Sequence, residues 1–474
     1  MPDMPPELEI KPRLPNLWQA LIPVLALIVF LGIGVGVLGV DPHIPLILGT
    51  AVAAGMGYLL GHRNDSLQDG MVRGIQIALL PILILLVIGV LIGLWISAGI
   101  VPILIDYGLK LLNPQIFLPV SCLICAIVSL STGSSWTTAG TVGIALIGVG
   151  TGLGISPAMS AGAIISGAYF GDKMSPLSDT TNLAPAVAGS KLFEHIRHMA
   201  WTTGPSFVIA LIAFSVLGLS QETSLEGTGD LNAIIDSLES LFNLTPWLLV
   251  PPATVLLLVI LKMPALPALF LGALVGGVFA VIFQGQSISE VLTAAMYGFT
   301  AETGNAAVDD LVSRGGMESM FWTVGLILCA MAFGGIMEKT RMLEVISSSV
   351  LSLARNTGSL ILTTAGTCFG MNALASDQYL ALVVPGRMYR EAFAKRGLHP
   401  KNLSRILEDA GTLTSPLIFW NTCGATMSFV LGVSAGDYWM FCFFNLINPF
   451  VSILYGYMGW TMVKLQPEGE SREE

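Results

Sequence analysis

Charge is scarce in this sequence. Only 11% of its 474 residues are Asp, Glu, Lys or Arg, whereas soluble domains carry about a quarter. That shortage excludes an ordinary water-soluble globular domain. Basic residues are also outnumbered, 21 against 31, giving a net charge of -10, so the chain offers no footing for nucleic acid. Cysteine is sparse as well. Cys122, Cys125, Cys329, Cys368, Cys423 and Cys442 fall within apolar stretches. Although Cys122 and Cys125 form a C-x-x-C, no zinc or disulfide spacing emerges, and all six read as small core residues.

Apolar runs take the place of charge. The chain is 54% hydrophobic, with a mean hydropathy of +0.77, which describes an all-α polytopic membrane protein. From Trp18 to Trp460 the runs recur, each about 18 residues or more and long enough to cross a hydrocarbon core of about 30 Å. Residues 1–17 read as a cytoplasmic arm. The run at 22–40 exceeds a signal-peptide core and lacks a small-residue cleavage pattern, so it is expected to stay as a helix. Helices are expected at about 18–40, 44–61 and 75–97, and Arg63 and Arg73 place the loop between the second and third inside. A short amphipathic segment at 104–112 follows. Next comes an apolar stretch, 116–150, interrupted by Ser129-Leu-Ser-Thr-Gly-Ser-Ser-Trp-Thr-Thr138. Two half-length arms around a polar tip describe a re-entrant hairpin. The alternative is one helix whose hydroxyls bond back to the preceding turn.

The polar residues concentrate in the next element, 157–190. Within it, Ser166 to Pro185 packs two carboxylates, a lysine and a cluster of hydroxyl and amide side chains between oily runs. Pro176 lacks an N–H and crowds the preceding turn, so the helix is expected to open near 174–179. Opened backbone at membrane depth is tolerated only inside protein or against a watery cavity. The stretch therefore reads as a small-ion site. Ser175, Ser178, Thr180, Thr181 and Asn182 supply hard oxygen donors and Asp172 and Asp179 negative charge, which suits Na⁺ or H⁺ better than a soft metal. A plainer reading also stands, in which Asp172 and Lys173 form a neutralising pair at a capped helix end.

A helix at 199–219 closes the first unit, 18–219. A polar, acidic external linker at 220–245 precedes a second unit, 246–462, and 463–474 reads as a cytoplasmic tail. The second unit begins with helices at 246–262 and 264–283 and a less apolar connection at 284–317. Compared with itself at an offset of about 242, the chain repeats its features in order, which argues for duplication. Gly93 matches Gly335 and Ser134 matches Ser376. Ser175-Pro-Leu177 recurs as Ser415-Pro-Leu417, and Asn182 finds Asn421. Loops of the first unit at 97–101 and 150–156 lack basic residues, whereas the matching loops of the second carry Lys339, Arg341, Arg387, Arg390, Lys395, Arg396 and Lys401. The second unit is thus expected upside down, with both termini inside. Each unit would have about five transmembrane helices plus a re-entrant hairpin and a broken helix.

Inverted repeats place a site at the midplane where their broken elements meet. The second hairpin, about 358–386, would bring Asn372, Ser376 and Asp377 to that site. The second broken helix, about 401–425, would bring Thr412, Thr414, Ser415, Asn421 and Thr422. Glu408 and Asp409 read equally as site groups or as partners of Arg405.

The runs Gly171-Asp-Lys-Met-Ser-Pro-Leu-Ser-Asp-Thr-Thr-Asn182 and Gly133-Ser-Ser-Trp-Thr-Thr-Ala-Gly140 resemble signatures of the sodium/proton antiporter C (NhaC) family. Phe333-Gly-Gly-Ile-Met-Glu-Lys-Thr340 and Ser376-Asp-Gln-Tyr379 are similar to that family too. The likeness covers nearly the whole chain, although Arg341 stands where the family pattern has glycine. The resemblance implies a secondary antiporter of the bacterial inner membrane, often dimeric, whose transport domain moves as an elevator against a scaffold domain. It implies no enzyme and no cofactor beyond the transported Na⁺ and H⁺. Some members are similar in motif yet exchange malate and lactate, or carry amino acids.

The physics of such exchange is competition. Low dielectric favours the neutral form of a lone aspartate and a bound Na⁺ the charged form, so the two ions exclude each other. Asp172 or Asp179 would hold that role, with Asp377 as coupling partner and Lys173 as countercharge. Thr132, Ser134, Ser135, Ser175, Thr180, Thr181 and Asn182 would be ligands or supports, and Na⁺ itself would sit at Asp172, Asp179, Ser175 and Asn182. A carrier of small organic acids or amino acids remains the first alternative. An intramembrane aspartyl protease built on Gly171-Asp172 lacks a second Gly-Asp motif in an apolar helix.

Overall fold

Lipid leaves a backbone few ways to satisfy its amides, and in the computed structural model the regular elements among the described residues are helical. Those residues are 12–220, 227–303 and 306–465. One isolated bridge joins Leu398 and Lys464. Among the described residues six helices are long and apolar enough to cross a bilayer: Leu17–Gly34, Leu79–Ser97, Pro114–Thr132, Leu192–Leu219, Ala265–Gln284 and Glu318–Lys339. The number rises to 8 if each of two bent pairs counts as one span. The chain is a multi-pass membrane protein.

Several boundaries differ from those read along the sequence. The expected third helix at 75–97 divides at Ala78 into Asn64–Ile77 and Leu79–Ser97. The segment around Arg73, read as a loop, is an amphipathic helix. Its small side packs closely on the helix Phe321–Lys339. A Cβ at Gly74 would lie 2.3 Å from the Met331 carbonyl oxygen, and one at Gly335 2.3 Å from that of Gly70. On its polar side Asp69 accepts from Lys339 Nζ (2.6 Å) and Arg73 Nε (2.9 Å). The linker at 220–245 contains a helix, Gly227–Leu241. Lys110 Nζ reaches Glu239 from it (2.9 Å) and Asp106 on its own helix.

The stretch 116–150 does not have two half-length arms. Its first arm, Pro114–Thr132, runs 19 residues, because its hydroxyls are absorbed by carbonyls. Ser131 Oγ donates to Ile127 O (2.9 Å) and Ser129 Oγ to Ala168 O on a neighbouring helix (2.5 Å). Gly133 ends it in the left-handed region at φ 68°. A short helix, Ser135–Thr138, a π turn, Ala139–Gly143, and the helix Ile144–Gly152 complete the segment.

The element at 157–190 is two helices. Pro157–Met174 opens with proline at its first turn and closes where Pro176 pushes Ser175 into extended backbone (ψ 129°). Ser178 caps the next helix, Asp179–Ala188, by accepting from Thr181 N, and Gly189 at φ 86° stops it. Pro157–Met174 lies tightly along Pro114–Thr132 through glycines four apart. A Cβ at Gly167 would come 2.1 Å from Cys122 O, and one at Gly171 2.4 Å from Ala126 O.

The second unit presents Thr357–Leu374, a turn at 375–377, and Gln378–Lys395. Pro400–Ile406 then runs into a π turn, Leu407–Thr412, a 3-10 turn, Ser415–Leu417, and Thr422–Leu431. Left-handed residues pair across the chain: Gly99 with Arg341, Gly133 with Ser376, Gly154 with Gly397 and Gly189 with Gly432. Each pair is about 242 residues apart. Arg341 adopts the left-handed conformation at φ 58° and stands at the N-cap position of Met342–Leu351 without a side-chain capping bond.

Candidate functional site: a carboxylate at a broken helix

Asp172 occupies the last turn of Pro157–Met174 and is 7% exposed. It lines a cavity of about 400 Å³ together with Thr132, Ser134, Ser135, Asp179 and Thr180. Its Oδ2 accepts from Ser135 N (3.1 Å) and Ser135 Oγ (2.7 Å). The turn after Gly133 thus clamps one carboxylate oxygen. Two of its bonds come from one residue because Ser135 begins a helix, where backbone N–H groups are free. The turn after Gly133 and the end of Pro157–Met174 meet here. Asp179 sits at the exposed mouth of the same cavity.

The other expected donors in this element support the break. Thr181 Oγ1 donates to the carbonyls of Asp172 (3.2 Å), which also accepts from Ser175 N (3.1 Å), and Lys173 (2.9 Å). Ser175 Oγ accepts from Leu177 N (3.3 Å). Asn182 Nδ2, on the exposed side, bonds Pro176 O (2.9 Å) and Ser178 O (2.7 Å). Ser134 Oγ accepts from Thr137 N (3.1 Å).

From the second unit, Gln378, Tyr379, Thr422 and Cys423 line the cavity. Sequence reasoning missed Gln378 as a site residue. The signal was its place directly after Asp377 in the Ser376-Asp-Gln-Tyr379 run. Its Oε1 stands 2.9 Å from Ser415 Oγ and 2.8 Å from Cys423 Sγ. Asp377, expected to face Asp172, is instead absent from the cavity lining. It caps Gln378–Lys395, with Oδ1 accepting from Leu380 N (3.0 Å) and Oδ2 buried without a partner. Ser376 holds φ 58°, its carbonyl accepting from Thr422 N (3.0 Å). Asn372 and Asn421 tie the two broken segments together. Asn372 Nδ2 donates to Gly411 O (2.6 Å), and Asn421 Nδ2 to Asn372 O (3.0 Å). Thr412 is buried off the cavity with an unpartnered hydroxyl.

Lys173 turns away from Asp172. Its ammonium pairs instead with Asp409, both side chains fully buried, so the Asp172–Lys173 pair of the plainer reading does not form. Asp409 Oδ1 also accepts from Asn448 Nδ2 (2.8 Å) and Thr202 Oγ1 (3.3 Å). Asp409 is therefore not the partner of Arg405, whose Nη1 donates to Thr461 Oγ1 (2.7 Å). Glu408 is buried beside it, with neither carboxylate oxygen hydrogen-bonded.

Among the described residues no group of three or more His, Cys, Asp or Glu converges to hold a metal. The donors around Asp172 are carboxylate, hydroxyl and amide groups, and its oxygens are hard ligands.

A family model described as the Na+/H+ antiporter family matches residues 167–460. The Na(+)/H(+) antiporter NhaC of Alkalihalophilus pseudofirmus is 43% identical over 92% of this chain and 94% of its own length. Its namesake in Bacillus subtilis is 39% identical over 89% of this chain and 93% of its own. The Malate-2H(+)/Na(+)-lactate antiporter of Bacillus subtilis is 36% identical, covering 94% and 96%. On this evidence the chain belongs to the Na+/H+ antiporter family.

Proposed function

We propose that the protein exchanges Na⁺ for H⁺ across the bacterial inner membrane. The observation that carries this reading is Asp172. It is a lone carboxylate at a helix break, with one oxygen clamped by Ser135 and the cavity beside it. Asp172, Ser135 and Asp179 would hold Na⁺, and a proton on Asp172 would displace it, since each ion favours the opposite charge state of the carboxyl. Asp179 at the mouth would attract the cation on its way in.

Alternating access by an elevator motion between inverted units, both termini cytoplasmic and the protein a homodimer, completes the reading. The left-handed residues that recur about 242 apart support the duplication. The excess of Lys and Arg in the loops of the second unit supports its inversion.

A second reading has one observation in its favour. A cavity of about 400 Å³ holds far more than a sodium ion, given that a water takes about 30 Å³. Lys262 on its wall would give a carboxylate a cationic partner. A small organic acid would then travel with or against the ions.

Everted vesicles with a pH-sensitive dye test both. Added Na⁺ should dissipate an imposed proton gradient, Asp172→Asn should abolish the response, and Asp179→Asn should weaken it by raising the half-saturating Na⁺. A full response from Asp172→Asn would remove that carboxylate from the ion path. A response to malate or lactate but none to Na⁺ alone would favour the second reading.

A further inference from the structure

We infer that Glu408 seats a proton of its own, apart from the cavity of Asp172, so that each cycle carries one proton more than competition at Asp172 supplies. The inference rests on the Na⁺/H⁺ reading and deepens it.

Glu408 lies in the π turn Leu407–Thr412, an irregularity that often marks functional sites. It is fully buried and does not itself line the cavity, although Asp172 and Thr180 of the cavity wall lie close enough to act on it. Neither Oε1 nor Oε2 accepts a hydrogen bond, and the neighbouring Thr412 hydroxyl is unpartnered as well. A bare carboxylate in such a place is costly without donors or a committed cation. Lys173 cannot serve as its standing counterion, because Asp409 already holds the ammonium. The seat therefore suits the neutral acid. It can release its proton only when Lys173, close enough to act on its charge, is shared between the two carboxylates.

Two histidines with unpartnered ring nitrogens lie near Asp409, the residue after Glu408. His195 has both ring nitrogens unpartnered and feels the charges of Lys173 and Asp409. His198, one turn on, has an unpartnered Nε2 and feels Arg405 and Lys401. Lys401 reaches partial exposure. Tyr389, on another helix packed against the π turn, is committed to Thr363 O and Thr367. When Glu408 loses its proton, the O–H bond breaks, the electron pair stays on the carboxylate, and the proton is released to water. Asp172 and Lys173 are adjacent in sequence and face opposite ways, so one helix end joins the sodium seat to the proton seat.

The test uses the full chain in proteoliposomes, with Na⁺ and H⁺ fluxes followed under potassium–valinomycin potentials, and Na⁺-induced thermal stabilisation measured in detergent. Wild-type exchange should be accelerated by an imposed potential, as expected when protons outnumber sodium. Glu408→Gln should keep the Na⁺-induced stabilisation and lose one proton per Na⁺, which removes the dependence on potential. Exchange lost outright with Na⁺ stabilisation intact, and restored by Glu408→Asp, also supports the inference. An unchanged proton-to-sodium ratio in Glu408→Gln would overturn it, and so would loss of Na⁺ stabilisation, which would make Glu408 part of the sodium seat. If wild-type vesicles show no Na⁺-dependent proton movement, the Na⁺/H⁺ reading itself fails, a result distinct from either.

Discussion

Lys173 and Asp409 form an ion pair in which both side chains are fully buried, joining the end of the first unit's broken helix to the π turn of the second. Removing one member leaves the other charged, buried and uncompensated, which costs about 3–5 kcal/mol. Lys173→Met should therefore destabilise the protein by that order. Asp409→Asn in the same chain should recover most of the loss. Thermal melting followed by size-exclusion chromatography of the two single variants and the double variant checks this. Additive losses would mean that the two charges do not act on each other.

Gly171 precedes Asp172 where Pro157–Met174 touches Pro114–Thr132, and a Cβ there would lie 2.4 Å from both Ala126 O and Leu130 N. Backbone cannot give way as a flexible side chain would. Gly171→Ala should push the helices apart, cost about 1–3 kcal/mol, and lengthen the bonds between Ser135 and Asp172. The expected readout is a raised half-saturating Na⁺ concentration in vesicles, together with a lowered melting temperature. Wild-type values for both would show that the crossing tolerates a methyl group.

Ser376 sits in the left-handed region at φ 58°, where a side chain costs about 1 kcal/mol or more. Its buried hydroxyl gains no hydrogen bond in return, and its carbonyl bond from Thr422 N does not need the side chain. Ser376→Gly should raise stability by about 1 kcal/mol, whereas the β-branched Ser376→Val should lower it by more. If the hydroxyl contributes to transport, exchange by Ser376→Gly will slow while its melting temperature rises. A melting temperature that falls in Ser376→Gly would contradict the strain.

Asp69 is held below its ordinary carboxylate range, first by the hydrogen bond from Lys339 and then by the one from Arg73. A depressed folded value means that its contribution is fully present above the unfolded pKa of about 3.9 and is lost as pH falls through the folded value. Protection from hydrogen exchange in Asn64–Ile77, relative to the intrinsic rate at each pH, should therefore stay high at neutral pH and fall only in acid. Asp69→Asn should show the lower protection already at neutral pH. Equal protection in the two proteins at neutral pH would remove the link between this helix and Phe321–Lys339.

Much of this was legible along the chain because it follows from local rules. The opening at 175–178 lies beside Pro176, and the cap at Ser178 and the stops at Gly133 and Gly189 are where short polar and glycine residues place them. Asn64–Ile77 was missed because Arg63 before it and Arg73 within it read as loop. Its helical face shows only against Gly335 and Met331 of a distant segment.

The sequence by itself determined a helical membrane chain and a carboxylate four residues before a proline break. These depend on composition, on periodicity and on proline's missing N–H. Only the tertiary structure decided which charges meet. Asp172 takes Ser135, Lys173 takes Asp409 across the units, and Glu408 is left without a partner. Neighbouring residues on a helix point in different directions, and what each one reaches depends on elements hundreds of residues away.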